Sequence, residues 1–142
     1  LIFLNLLILE LTIEELNFIN KNECCRLATC SRNKPHVVPV SYIFSKGFFY
    51  IATDYKTKKL FNIKNNPYVS IVIDIYKPFN NKGIVINGNV ELVENGKSFH
   101  DTYDLFFNKF EWVRTSPWIE GEAPFLKIMP KSKAVWGFEK HG

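Results

Sequence analysis

Lys56, Thr57, Lys58 and Lys59 stand where a helix should begin, in the run YIATDYKTKKLFNIKNNPYVS. The start of a helix already presents unpaired N–H groups and the positive end of the macrodipole, so lysine there is unfavourable by itself. The cluster makes physical sense if an anion sits on it. A phosphate is the usual guest, because free amides, the dipole and ammonium groups all favour negative charge. The same residues also fit a solvated lysine-rich turn. Other chemistry has thinner support. His36, Tyr42 and Arg114 are the acid–base candidates, each a residue type that more often serves packing or the surface. Cys24, Cys25 and Cys30 lack the paired spacing of a zinc site and the even count of a secreted disulfide framework. They read as thiols in a reducing cytoplasm, with no metal.

The elements that would carry these residues follow from pattern. Thr12 and Glu15 have capping-box spacing, so a helix starts there with Leu16 and Ile19 inward and ends near residues 20–22. Strands are expected over 26–31, 36–44, 48–54, 68–76, 84–94, 125–129 and 133–138. Pro39 inside the second marks an edge, a bulge or a break in pairing, and Gly88 inside the fifth suggests a bulge or a close approach. Ser45-Lys46-Gly47 reads as a hairpin turn and residues 78–83 as a polar turn. Helices are expected near 57–65 and 97–110, with an irregular loop over 111–123. The whole implies a mainly β protein: a six- to seven-stranded antiparallel sheet forming a closed or split barrel with flanking helices, over one domain of residues 1–142.

The 142 residues carry a net charge of +4, with 46% hydrophobic, 23% charged and 15% aromatic residues. That is an ordinary globular balance. No basic stripe interleaved with aromatics appears, so nucleic acid is not expected as a partner. No dinucleotide-binding or P-loop glycine pattern and no nucleophile elbow is present. The apolar run LIFLNLLIL lacks a basic leader and is too short to span a bilayer. It reads as part of an N-terminal extension over residues 1–11, and no membrane partner is expected. Phe106, Phe107, Phe110, Trp112 and Trp118 make an apolar concentration that suggests a homodimer interface.

The ordered set of motifs resembles the pyridoxamine 5′-phosphate oxidase-like family of FMN-binding split barrels. The residues that carry it are Ala28-Thr29, Lys34 to Val40 (KPHVVPV), Tyr50 to Lys59 (YIATDYKTKK), Asn65 to Ser70 (NNPYVS) and Ile86 to Glu91 (INGNVE). The likeness covers roughly residues 12–138. It implies that Lys58 and Lys59 hold the FMN phosphate with Thr53 and Thr57 as hydroxyl partners. It implies that the backbone of Val38, Pro39 and Val40 lies along the isoalloxazine ring. It implies a homodimer with flavin at the interface, where Trp136, Trp112 or Trp118 covers the ring. The stretch VPVSYI has no Arg or Lys where the vitamin-pathway oxidase carries a basic strand, so a different small-molecule substrate is expected. Two alternatives stay open. One is a reductase using a deazaflavin, whose acidic tail Arg26, Arg32 or Arg114 would meet. The other is a flavin- or haem-binding module without turnover, with His36, His100 and His141 as the available axial ligands.

Overall fold

The structure is a computed structural model that describes residues 9–138. Helix α1 (Ile13–Lys21) is followed by strands β1 (Cys24–Ser31), β2 (Lys34–Ser41), β3 (Ile43–Ser45) and β4 (Phe48–Ala52). Then come α2 (Lys58–Asn65), β5 (Tyr68–Lys77), β6 (Asn80–Val93), α3 (Gly96–Lys109), α4 (Glu111–Thr115) and β7 (Phe125–Trp136). The seven strands form one sheet in the order β2-β1-β5-β6-β7-β4-β3, and every pairing is antiparallel.

That order forces the sheet to roll up. β2 and β3 are separated only by Tyr42, yet they lie at opposite edges. A flat sheet cannot place sequence neighbours at its two ends. The sheet therefore curls until the edges meet at Tyr42, which gives the split-barrel form expected from the sequence. Tyr42 is fully buried in that seam. Its amide donates to Glu23 O at 3.0 Å and its hydroxyl to Ile19 O at 2.6 Å.

Inward positions alternate along the strands, as half-buried strands require. Cys25, Leu27 and Thr29 face in from β1, and Val69, Ile71 and Ile73 from β5. With Phe49, Ile51, Ile84, Ile86 and Ile128 they fill the barrel, closed by Phe18 and Ile19 of α1 and Leu60 and Ile63 of α2. A second core lies under α3 and α4, where Phe99, Phe106, Phe110 and Val113 pack on Phe125, Val93 and Ile43.

Several boundaries differ from expectation. The expected strand over 36–44 is two strands, broken at the Tyr42 seam. The 78–83 turn contracts to Pro78-Phe79, because β5 and β6 stay paired out to Lys77 and Asn80. The loop over 111–123 contains the short helix α4. The two last strands are one strand that runs through Pro130. A proline is tolerated there because the register slips: Gly88 pairs with Pro130 and Asn87 with Ser132, leaving Lys131 as the extra residue. Gly88 permits this close approach, since a Cβ on it would lie 2.3 Å from Met129 O. Pro39 sits on β2, an edge strand, as its missing N–H demands.

Candidate functional site

The start of α2 builds the site. Thr57 is the N-cap, with extended backbone (φ −91°, ψ 152°), and its hydroxyl accepts from Leu60 N at 3.4 Å. The same hydroxyl lies 3.0 Å from Thr53 Oγ1 and donates to Asp54 O at 3.0 Å. Thr53 Oγ1 also lies 3.4 Å from Asp54 O, so its one proton can go to that carbonyl or to Thr57. Thr53 itself is buried and its amide donates to Pro124 O at 3.2 Å, which ties the end of β4 to the start of β7. Two threonine hydroxyls are thereby fixed beneath the first turn of the helix.

No acidic residue occupies that turn. The amides of Lys58 and Lys59, at its first two positions, have no partner within the helix. Lys59 is half-buried. Burial lowers its pKa, and the Asp54 charge pulls it back up. Lys58 is exposed, with its ammonium 5.1 Å from the centre of the Phe61 ring. Arg32, from the β1–β2 turn, approaches the same ring, with Cζ at 6.0 Å. Three cations therefore gather about one end of an eight-residue helix. The free amides and the ammonium groups fit a phosphate, and Thr53 can turn its proton from Thr57 to such a ligand.

Helix α2 is held on β1 by a fully buried contact, Asn62 Nδ2 to Thr29 Oγ1 at 3.0 Å. The other side-chain atom, Asn62 Oδ1, has no hydrogen-bond partner. On the far side of β1 runs β2, where Leu27 pairs with Val38, Arg26 with Pro39 and Cys25 with Val40. Val38 and Val40 are half-buried and Pro39 is exposed, so this edge offers backbone to a flat ligand.

The structure does not bring Trp136 to this place within one chain. It lies at the far end of β7 from Phe125, beside which Thr53 stands. Its indole N–H donates to Asn81 Oδ1 at 2.8 Å, and its ring covers Gly83, where a Cβ would meet the indole at 2.2 Å. Trp112 and Trp118 are nearer. With Thr53, Asp54, Ser116 and Glu122 they line a cavity of about 380 Å³ beside the helix start. Asp54 and Glu122 carry no signal in the sequence, because only the fold unites them. A second, shallower groove of about 470 Å³ crosses the outer face of β1, β5 and β6 near Gly88.

Several candidates turn out to be structural. Tyr42 is sealed in the seam, and burial together with the neighbouring Cys25, Cys24 and Glu23 charges pushes its pKa up, so it is no acid–base group. Arg114 donates to Phe107 O at 2.5 Å and to Asn108 O at 3.2 Å, capping α3. Arg26 pairs with Asp74 at 3.4 Å. Cys25 is buried and its thiol is pushed up to about 12, which rules out a thiolate nucleophile. His36 is half-buried on β2, His100 is exposed near Glu120, and His141 lies outside the described residues. Phe106 and Phe110, expected at a dimer interface, are buried in the second core of their own chain. Among the described residues, no group of three His, Cys, Asp or Glu side chains is placed to hold a metal, and no helix is long and apolar enough to cross a membrane.

Solved structures share this fold. A protein from Listeria innocua assigned as a pyridoxamine 5′-phosphate oxidase superimposes with a TM-score of 0.71 at 16% identity, over 86% of this chain and 94% of that one. An FAD-binding protein from Mesorhizobium loti gives 0.72 at 23% identity, over 88% and 92%. The haem storage protein HutZ from Vibrio cholerae gives 0.75 at 15% identity, over 90% and 94%. No curated protein sequence matches the chain. The family model described as pyridoxamine 5′-phosphate oxidase matches residues 11–135, nearly all of the seven-stranded sheet and its helices, and the chain belongs to that family.

Proposed function

We propose that the chain is an FMN-binding flavoprotein, an oxidoreductase acting on a small molecule in the cytoplasm. One observation carries this reading: the α2 N-terminus sets Lys58 and Lys59 over a fixed Thr53–Thr57 hydroxyl pair with no carboxylate in its first turn. Lys58, Lys59, Thr53 and Thr57 would hold the phosphate, and the Val38–Val40 edge would lie along the ring. The flavin, when bound, supplies the electron chemistry, and the protein supplies orientation and access. The FAD-binding relative supports a flavin of some kind. The haem storage relative supports haem as the competing ligand, with His36 the candidate nearest the β2 edge. Arg32 beside Lys58 would also suit the acidic tail of a deazaflavin.

The working form proposed is a homodimer of single split-barrel units with flavin at the interface. Phe106 and Phe110 are internal, whereas Phe107 and Trp112 of the expected interface stay exposed; Val37 on β2, Tyr76 and Phe79 at the β5–β6 tip, and Val135 and Trp136 on β7 are among the other exposed apolar side chains. A symmetry mate packed so that its Trp136 reaches the β2 edge would cover the flavin of its neighbour.

The test is uptake of FMN by the purified protein, followed by flavin fluorescence and sedimentation. The reading expects one FMN per chain and twice the 16.6 kDa chain mass. Failure to bind FMN at micromolar concentration, with haem or a deazaflavin bound instead, overturns the cofactor. A monomer that holds FMN at full affinity overturns the shared site.

A further inference from the structure

Beyond Gly83 the sheet narrows to two strands. The last β6–β7 pair is Gly83 with Trp136, and β1 pairs with β5 only over Ser70 to Val72. β5 and β6 continue on their own through the pairs Ile75–Lys82, Tyr76–Asn81 and Lys77–Asn80 to the turn at Pro78-Phe79. A two-stranded ribbon is marginal in water by itself. This one is braced at its root. The Trp136 indole N–H donates to Asn81 Oδ1 at 2.8 Å, and Lys82 pairs with Glu14 at 3.5 Å. The ribbon is therefore a short arm held by β7 and α1.

The tip of the arm carries two features that cost stability in the isolated chain. Phe79 stands at φ +63°. Proline followed by a positive-φ residue is the type II turn pattern, whose second central position takes glycine or asparagine. A bulky side chain there is an outlier, and an outlier of this kind points to a function at the position. The Phe79 ring is also fully exposed, and Tyr76 beside it is largely so.

We propose that this arm docks on a second copy of the chain, with Phe79 and Tyr76 as the anchoring side chains of an isologous contact. Buried area selects the occupant. An aromatic side chain buries about 150–250 Å². With an equal area covered on the partner, one arm gives about 600–1,000 Å², short of the standard interface of about 1,200–2,000 Å². A twofold axis uses each contact twice, so two arms reach that size. The apolar surface continues at the root, where Val135 and Trp136 are exposed on β7. A membrane surface is the weaker occupant, since anionic lipid is held by clusters of basic residues. On the arm Lys82 is engaged by Glu14, which leaves Lys77. The contact rests on the proposed homodimer and not on the cofactor.

The test is the monomer–dimer equilibrium of the full chain, measured by sedimentation over a range of concentrations. Phe79→Gly removes the ring and relieves the backbone, because glycine takes φ +63° without strain. It should leave a folded chain and weaken the dimer by about a hundredfold or more, as each dimer loses two anchoring rings. Tyr76→Ser should weaken it in the same direction. Phe107→Ser, on the exposed side of α3, should leave it unchanged. A monomeric wild-type protein would overturn the homodimer and the arm contact together. A wild-type dimer unaffected by Phe79→Gly and Tyr76→Ser, with both variants folded by their melting curves, would overturn the arm contact alone. Loss of folding in Phe79→Gly would do the same, by placing the ring in the support of its own chain. So would flotation of the wild-type chain with anionic phospholipid vesicles that is lost in Phe79→Gly, which would give the tip to a membrane surface.

Discussion

Helices α1 and α2 begin with the same residue and are finished in opposite ways. Each has a threonine N-cap whose hydroxyl accepts from the amide three positions on. In α1 that third position is Glu15. Its carboxylate returns to the Thr12 amide at 3.2 Å, completing the box, and also receives the Lys133 ammonium from β7. Lys133 further donates to Glu10 O at 2.7 Å. Acidic Glu14 and Glu15 at the start and Lys21 at the end complement the dipole. In α2 the third position is Leu60, fully buried in the barrel, and the first two are lysines. Among the described residues no side chain returns to the Thr57 amide, and the two lysines at the start oppose the dipole. One helix start is closed by its own chain. The other is open, and in the proposed reading a bound phosphate would close it and offset the cost in stability.

The comparison can be broken first at α1. Lys133→Ala removes the partner of a nearly buried carboxylate. Loss of one member of a buried pair costs about 3–5 kcal/mol. Lys133 is a quarter exposed, so about 2 kcal/mol is expected here, read from the denaturant midpoint at constant slope. FMN uptake should not change. An unchanged midpoint would show that the α1 closure does not hold the helix to the barrel.

Reversing a charge at α2 should work the other way. Lys58→Glu should stabilise the flavin-free protein by about 0.5 kcal/mol, since an acidic group suits a helix start, whereas a glutamate at 59 would meet the Asp54 charge. The same change should abolish FMN binding. A destabilised flavin-free variant would mean that the lysines serve the fold. The smallest difference lies in the caps. Thr12→Ala and Thr57→Ala should each cost about 1 kcal/mol, with the reciprocal box at Thr12 toward the larger loss. Only Thr57→Ala should also weaken FMN. Equal effects on FMN would erase the distinction between the two ends.

Features that depend on near neighbours in the chain were legible. The Thr12–Glu15 box, the Thr57 cap, the Pro39 edge and the Gly88 bulge each follow from residue type and local pattern, and each stands where expected. What depends on distant partners was not. Pro130 looks like a strand break until Gly88 is seen opposite it, absorbing the lost register. Tyr42 reads as one more strand residue, yet it is the point where the two sheet edges meet. Phe106 and Phe110 lie on an amphipathic helix, and the helix pattern alone does not say whether a partner chain or Phe125 covers them. Asp54 and Glu122 belong to one cavity only because the Thr53 amide bonds to Pro124 O. Asn62 offers a partial signal: a polar residue between Leu60 and Ile63 on a buried face points to an internal contact, which proves to be Thr29.

The claim that α2 begins at a phosphate site is tested most directly by a two-by-two binding cycle. FMN and riboflavin differ only in the phosphate. Their affinities for the wild-type protein and for the Lys58→Ala, Lys59→Ala variant separate the phosphate contact from everything else. A hydrogen bond to a charged partner is worth about 1.5–3 kcal/mol, so loss of two should weaken FMN by about a hundredfold or more. Riboflavin should change by less than about twofold, because nothing it carries meets the lysines. A parallel loss for both ligands would contradict the account, since it would place the lysines in the support of the fold and leave the α2 start without a ligand.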